Sequence, residues 1–226
     1  MTAVQNLDLI DSAAVEAFIQ LARTTDKFER YEHAHAQRIA VIADEIAQQF
    51  HLARHDRGSL YAAALLHDLG EVAMERDYIQ ATSPLSDEER RDLSRHPVIG
   101  EREASRVGAD RAAQLLVRWH HEWWNGAGYP DALRRDGIPL AARILRLADS
   151  YAALTDARPF RPALTEDAAR RELINYAGIE FDPAVVQVFL ALEPFPELES
   201  FARTEADEPV VASKSGGWDL FSSFTK

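Results

Sequence analysis

Residues 35–70 read HAQRIAVIADEIAQQFHLARHDRGSLYAAALLHDLG. Apolar side chains recur there at three- and four-residue intervals, the period of a helix that buries one face. The spacing predicts a helix from Tyr31 to Phe50 and another from near Asp56 to Gly70, where glycine would serve as a left-handed C-terminal residue. Working outward, the same period runs from about Asp11 to Leu192 with no convincing alternating strand run. A first helix follows Asp11 or Ser12, and Ser86 with Glu89 forms a capping box. Pro97 and Pro139 fall at first-turn positions, as does Pro183 after the cap candidate Asp182. The main interruption is NGAGYPDALRRDGIP at 125–139, where glycines and prolines forbid a continued helix. The expectation is an all-α fold of eight or nine helices, with a helical extension over 1–30, a compact domain over 31–198 and a flexible tail over 199–226. The tail is polar until its apolar end, Trp218, Leu220, Phe221 and Phe224, which could dock on a partner or fold back.

Composition excludes several functions. Among 226 residues, 37 acidic side chains against 25 basic ones leave a net charge of −12, and there is no cysteine. Disulfide scaffolds, thiolate zinc sites, cysteine-ligated clusters and cysteine nucleophiles are therefore ruled out. So acidic a chain would repel bulk nucleic acid. A small phosphorylated ligand stays feasible where something local supplies positive charge. The first residues lack the basic and apolar regions of a signal peptide, and no stretch approaches the roughly 20 apolar residues of a membrane span. A cytoplasmic protein is expected.

Five of the eight histidines form a set: His35, His67 followed by Asp68, His96, and the pair His120 and His121, with Asp149 further on. His33, His51 and His55 are read as ordinary hydrogen-bonded or surface residues. Imidazole and carboxylate together suit iron, manganese, zinc or similar divalent ions, whereas an all-oxygen set would suggest magnesium or calcium. Adjacent residues on a helix point about 100° apart, so His67 and Asp68 serve one centre only where the helix passes close to it. Two ions side by side relax that demand, because a carboxylate can bridge them.

These motifs, in order, resemble the HD-GYP domains, a branch of the HD superfamily of metal-dependent phosphohydrolases. The resemblance spans Tyr31 to Phe189 and rests on HAQRI at 35–39, HDLG at 67–70, HP at 96–97 with Gly100, HHEWWNGAGYP at 120–130, IPLAARILRLAD at 138–149, RPFR at 158–161 and FDP at 181–183. It implies two divalent ions, iron or manganese ahead of zinc, magnesium, nickel or cobalt. Their ligands would be His35, His67, Asp68, His96, His120, His121 and Asp149, with Asp68 bridging. Glu122 would orient an imidazole, Gly126 and Gly128 would let the loop turn tightly, and Tyr129 would face the site. Arg158 and Arg161 would contact the phosphates or bases of the substrate. The implied activity is metal-assisted hydrolysis of a cyclic dinucleotide, cyclic di-GMP first, or of a related phosphate ester, with His67 and Asp68 at the catalytic centre. In the family the GYP loop also serves protein partners, so both loop and aromatic tail are partner candidates. About thirty residues precede the motifs, fewer than a sensory domain needs.

Three positions depart from the family pattern. Glu71 stands where lysine is common near the substrate phosphate, and an anion there is unfavourable. Ala152 replaces a substrate-facing aspartate. Tyr31 stands where members with three metals carry glutamate, one turn before the first ligand, so two ions are expected. The alternatives to an active phosphodiesterase are a catalytically weakened signalling or interaction module and an HD-type hydrolase of another nucleotide phosphate.

Overall fold

The computed structural model describes residues 12–81, 83–157 and 162–192. Among them are ten α-helices: α1 (Ser12–Phe28), α2 (His35–Gln49), α3 (Arg54–Leu66), α4 (Leu69–Met74), α5 (Asp87–Leu93), α6 (His96–Arg106), α7 (Arg111–Trp119), α8 (Leu140–Thr155), α9 (Glu166–Asn175) and α10 (Pro183–Ala191). No strand is found among the described residues, only an isolated bridge between Ala177 and Phe181. The all-α expectation is borne out. Among the described residues no helix is long and apolar enough to cross a membrane. The aromatic tail and the RPFR segment, with Arg158 and Arg161, lie outside the described residues.

The core forms where α2, α3 and α8 meet, with Ile39, Ile42, Ile46, Leu60, Leu65, Leu66, Ile144, Leu145 and Leu147 buried between them. Ala40, Ala43, Ala63, Ala64 and Ala148 are fully enclosed, and such small side chains let helix axes approach closely. The first helix belongs to the same core through Val15, Phe18, Ile19, Leu21 and Ala22. Further contacts run from α4 to α6, from α6 to α7 and from α3 to α7.

Several caps are as the sequence predicts. Ser86 and Glu89 form the reciprocal capping box, and the Asp182 side chain accepts from the Ala184 amide ahead of Pro183. Pro139 sits one residue earlier than expected, as the N-cap of α8.

Two boundaries differ from the sequence reading. Helix α2 begins at His35 rather than Tyr31, because the chain turns at Arg30 (φ 64°) and the first-turn amide of Ala36 is taken by the Asp26 carboxylate of α1 at 3.2 Å. The helix expected to end at Gly70 ends at Leu66. The chain breaks at His67–Asp68, where Asp68 leaves helical geometry (φ −102°, ψ 14°), and α4 starts afresh at Leu69. Gly70 therefore lies inside α4 and is not left-handed. A Cβ there would sit 2.1 Å from the His96 carbonyl oxygen and 2.7 Å from the Gly100 nitrogen, so this glycine lets the backbones of α4 and α6 touch.

Candidate metal centre

The break after α3 aims both His67 and Asp68 inward. All seven residues singled out as ligands come together in two groups: Asp68, His96, His120 and His121 in one, and His35, His67 and Asp149 in the other. Each comes from a helix end or an inward helical face: His35 from the start of α2, His67 and Asp68 from the α3–α4 break, His96 from the start of α6, His120 and His121 from the end of α7, and Asp149 from α8. His33, His51 and His55 belong to neither group.

Asp68 stands between the groups. Its Oδ2 lies 2.9 Å from His67 Nε2, while its Oδ1 lies 3.2 Å from His96 Nε2 and 3.4 Å from His120 Nε2. On the far side, His35 Nε2 is 3.7 Å from Asp149 Oδ1.

Four rings are held from behind. Nδ1 of His67, His96 and His120 faces the carbonyl oxygen three residues earlier, of Ala64, Leu93 and Val117, at 3.0, 2.8 and 2.7 Å. Nδ1 of His35 faces Asp156 Oδ2 at 2.9 Å. A carbonyl or carboxylate oxygen only accepts, so in each ring Nδ1 carries the proton, and a neutral imidazole then presents a bare Nε2. The outcome is visible between His96 and His120, whose Nε2 atoms face each other at 3.3 Å. Two acceptors at that distance gain nothing from one another, and both gain from a cation. His35 Nε2 and Asp68 Oδ1 are likewise buried without a hydrogen bond. Orphaned polar atoms of this kind are costly to bury unless an ion or a proton satisfies them. The donor set, imidazole nitrogen with carboxylate oxygen, fits a divalent transition metal.

Protonation in the metal-free state follows the same geometry. Burial disfavours the charged form of His67, but the Asp68 carboxylate outweighs it and pushes the ring up to about 10. Burial also opposes ionisation of Asp149, yet His35, His67 and Arg146 hold it down to about 2. His121 is held well below the usual histidine range by burial and by the neighbouring His120 and Arg146.

His121 differs from the other four rings. Arg146 Nη1 donates to its Nδ1 at 3.1 Å and to Asp149 Oδ2 at 3.0 Å, while Nη2 makes a close ion pair with Glu180. Sequence reasoning missed Arg146, Glu180 and Asp156. Arg146 stands in the motif IPLAARILRLAD and Glu180 directly precedes FDP, but only the fold joins them. Asp156 lies one helical turn past Ala152, and its second oxygen is paired with Arg38. Ala152 itself is fully buried.

Other expected roles change. Glu122 orients no imidazole: its Oε1 accepts from the Asp131 amide at 2.7 Å and so holds the back of the loop. Gly128 is needed for close approach, since a Cβ there would lie 2.3 Å from the Trp123 nitrogen, whereas Gly126 is left-handed (φ 86°). Tyr129 does face the centre, its ring centroid 4.9 Å from that of His121 and 6.4 Å from that of His96. Tyr31, outside α2, stacks on His35 at 3.7 Å. Glu71 Oε1 lies 3.8 Å from His96 Nδ1. Burial, and then Asp68, push its carboxyl up to about 8. Burial thus favours the neutral acid in a side chain that the sequence presents as an anion.

Residues 17–185 match the model of the HD domain family, and the chain belongs to that family. A cyclic di-GMP phosphodiesterase of Vibrio cholerae is 39% identical over 59% of this chain and 29% of its own length. A cyclic di-GMP phosphodiesterase response regulator of Xanthomonas campestris is 32% identical over 82% of this chain and 50% of its own. The chain thus spans half or less of the length of these relatives. The fold matches the crystal structure of a cyclic GMP-AMP specific phosphodiesterase of Vibrio cholerae with a TM-score of 0.67 at 21% identity, over 85% of this chain and 51% of that one.

Proposed function

We propose that the chain is a cytoplasmic metal-dependent phosphodiesterase that opens a cyclic dinucleotide, cyclic di-GMP first, to the linear form. One observation carries this: Asp68 turns Oδ2 toward His67, of the group with His35 and Asp149, and Oδ1 toward His96 and His120 of the other group. His35, His67 and Asp149 would hold one divalent ion, His96, His120 and His121 the other, with Asp68 bridging. Iron or manganese suits this nitrogen-rich set. When bound, such ions supply the Lewis acidity that acidifies a water, from about 15.7 toward about 7, and offsets charge on phosphate oxygens.

The residues of the chain supply the rest. The carbonyl oxygens behind His67, His96 and His120 fix which ring nitrogen faces inward. Tyr129 walls the approach to the second group. Arg158 and Arg161 would meet the substrate's phosphates or bases. The Vibrio cholerae and Xanthomonas campestris relatives are cyclic di-GMP phosphodiesterases, which supports the same substrate class. The GYP loop would also be open to a protein partner.

The deciding experiment loads anaerobically purified protein with iron or manganese, measures metal content, and separates the products formed from cyclic di-GMP. Linear dinucleotide is expected. No turnover at about two ions per chain rejects this substrate. His67→Ala and Asp68→Ala should each abolish metal content and turnover together; retained turnover would mean that the centre lies elsewhere.

A further inference from the structure

A cleft of about 330 Å³ lies between the 124–137 loop and the turn that joins α9 to α10, lined by Trp124, Asn125, Arg134, Arg135 and Gly178. None of these residues belongs to either ligand group. Its walls are laced together by backbone hydrogen bonds: the Trp124 amide donates to Glu180 O at 3.0 Å, the Asn125 amide to Ile179 O at 2.9 Å, and the Arg135 amide to Trp124 O at 2.9 Å. The side chains therefore project from fixed backbone. Their free polar groups are donors. Neither Arg134 nor Arg135 has an ion-pair partner among the described residues, in a chain whose net charge is −12. Asn125 Oδ1 already accepts from the Ala127 amide at 2.8 Å, which leaves its NH₂ group.

Backbone conformation serves the same arrangement. Arg135 (φ 50°) and Ala132 (φ 53°) hold left-handed geometry without being glycine, and non-glycine residues so strained are concentrated at functional sites. At Gly126 a Cβ would press to 3.1 Å from Arg134 Cβ, so the glycine leaves room for that arginine. Trp124 adds an aromatic wall. The volume is at the small end of the range for small-molecule sites, with room for one nucleotide rather than two.

We propose that this cleft binds a nucleoside monophosphate, with the phosphate between Arg134 and Arg135, the Asn125 NH₂ donating to it, and the base against Trp124. Guanidinium is suited to that role by its planar donor fork. The site stands apart from the catalytic reading but touches it at Glu180, whose carbonyl holds Trp124 and whose carboxylate holds Arg146.

Calorimetric titration of the full chain with 5′-GMP, both metal-loaded and chelator-treated, tests this. Saturable one-to-one binding is expected in both states, with guanosine giving none. The double variant Arg134→Gln/Arg135→Gln should weaken binding by about tenfold or more in both states, with an unchanged unfolding temperature, because both side chains are exposed. Absence of saturable binding at millimolar GMP overturns the assignment. So does equal affinity in the variant, equal affinity for guanosine, or binding that vanishes with the metal. Because the titration reads binding without turnover, its failure is distinguishable from failure of the phosphodiesterase reading.

Discussion

His35 and Asp156, 121 residues apart in the chain, meet at 2.9 Å between Nδ1 and Oδ2, and Arg38 holds the other oxygen of the same carboxylate. The aspartate fixes the ring so that Nε2 faces Asp149. Partners that orient a ligating histidine in this way typically contribute about 10–100-fold to metal affinity. Asp156→Ala should lower the affinity of the His35–His67–Asp149 group by that factor in a chelator competition, and Asp156→Asn, which keeps an acceptor, should lose less. Equal affinity in Asp156→Ala would mean that His35 is oriented by something else.

Proton release provides a second check. In the metal-free protein His67 titrates at about 10, so at pH 7 it holds a proton that an arriving ion must displace. The sign follows: raising the pH from 7 toward 10 removes that competitor, and apparent affinity should rise by up to about tenfold per unit. Calorimetry at pH 7.5 in buffers of different ionisation enthalpy should register protons released on binding. No buffer dependence would contradict the protonated His67.

Much of the site was legible because its chemistry is local. Ligand types and helical period can be read along the chain, and the motif order carries the family. What escaped depends on contacts between distant residues. The break at His67–Asp68 carries no glycine or proline to announce it. Gly70 looked like a helix terminator because its true constraint, the His96 carbonyl, lies on another helix. Asp156, Arg146 and Glu180 are unremarkable charges until folding pairs them. Glu122 sits beside the histidines in sequence yet points to the opposite side of the loop, to Asp131.

The Arg146–Glu180 pair should behave as a buried unit, with side chains only 14% and 12% exposed. Removing one member leaves the other charge unpaired, which typically costs about 3–5 kcal/mol. Arg146→Met should therefore destabilise the fold markedly in urea, and adding Glu180→Gln should recover part of the loss. The coupling from that double-mutant cycle should fall within about 0.5–3 kcal/mol. Strict additivity would show that the two side chains do not act together.

Gly70 and Gly137 make the last test, since alanine meets opposite surroundings at the two positions. At Gly70 the added methyl would collide with backbone, 2.1 Å from the His96 oxygen, and backbone cannot swing aside as a side chain can. Overpacking usually costs about 1–3 kcal/mol, and Gly70→Ala should reach the top of that range or pass it. Because the clash pushes on the residue that bears the His96 ring, metal affinity should fall along with stability. At Gly137 nothing lies within 4 Å of the added Cβ and the backbone is not left-handed, so Gly137→Ala should be neutral or stabilising by up to about 1 kcal/mol. Urea midpoints and metal titrations of the two variants read this contrast directly. A Gly70→Ala protein as stable and as metal-competent as its Gly137→Ala counterpart would show that α4 and α6 are not in backbone contact at the centre.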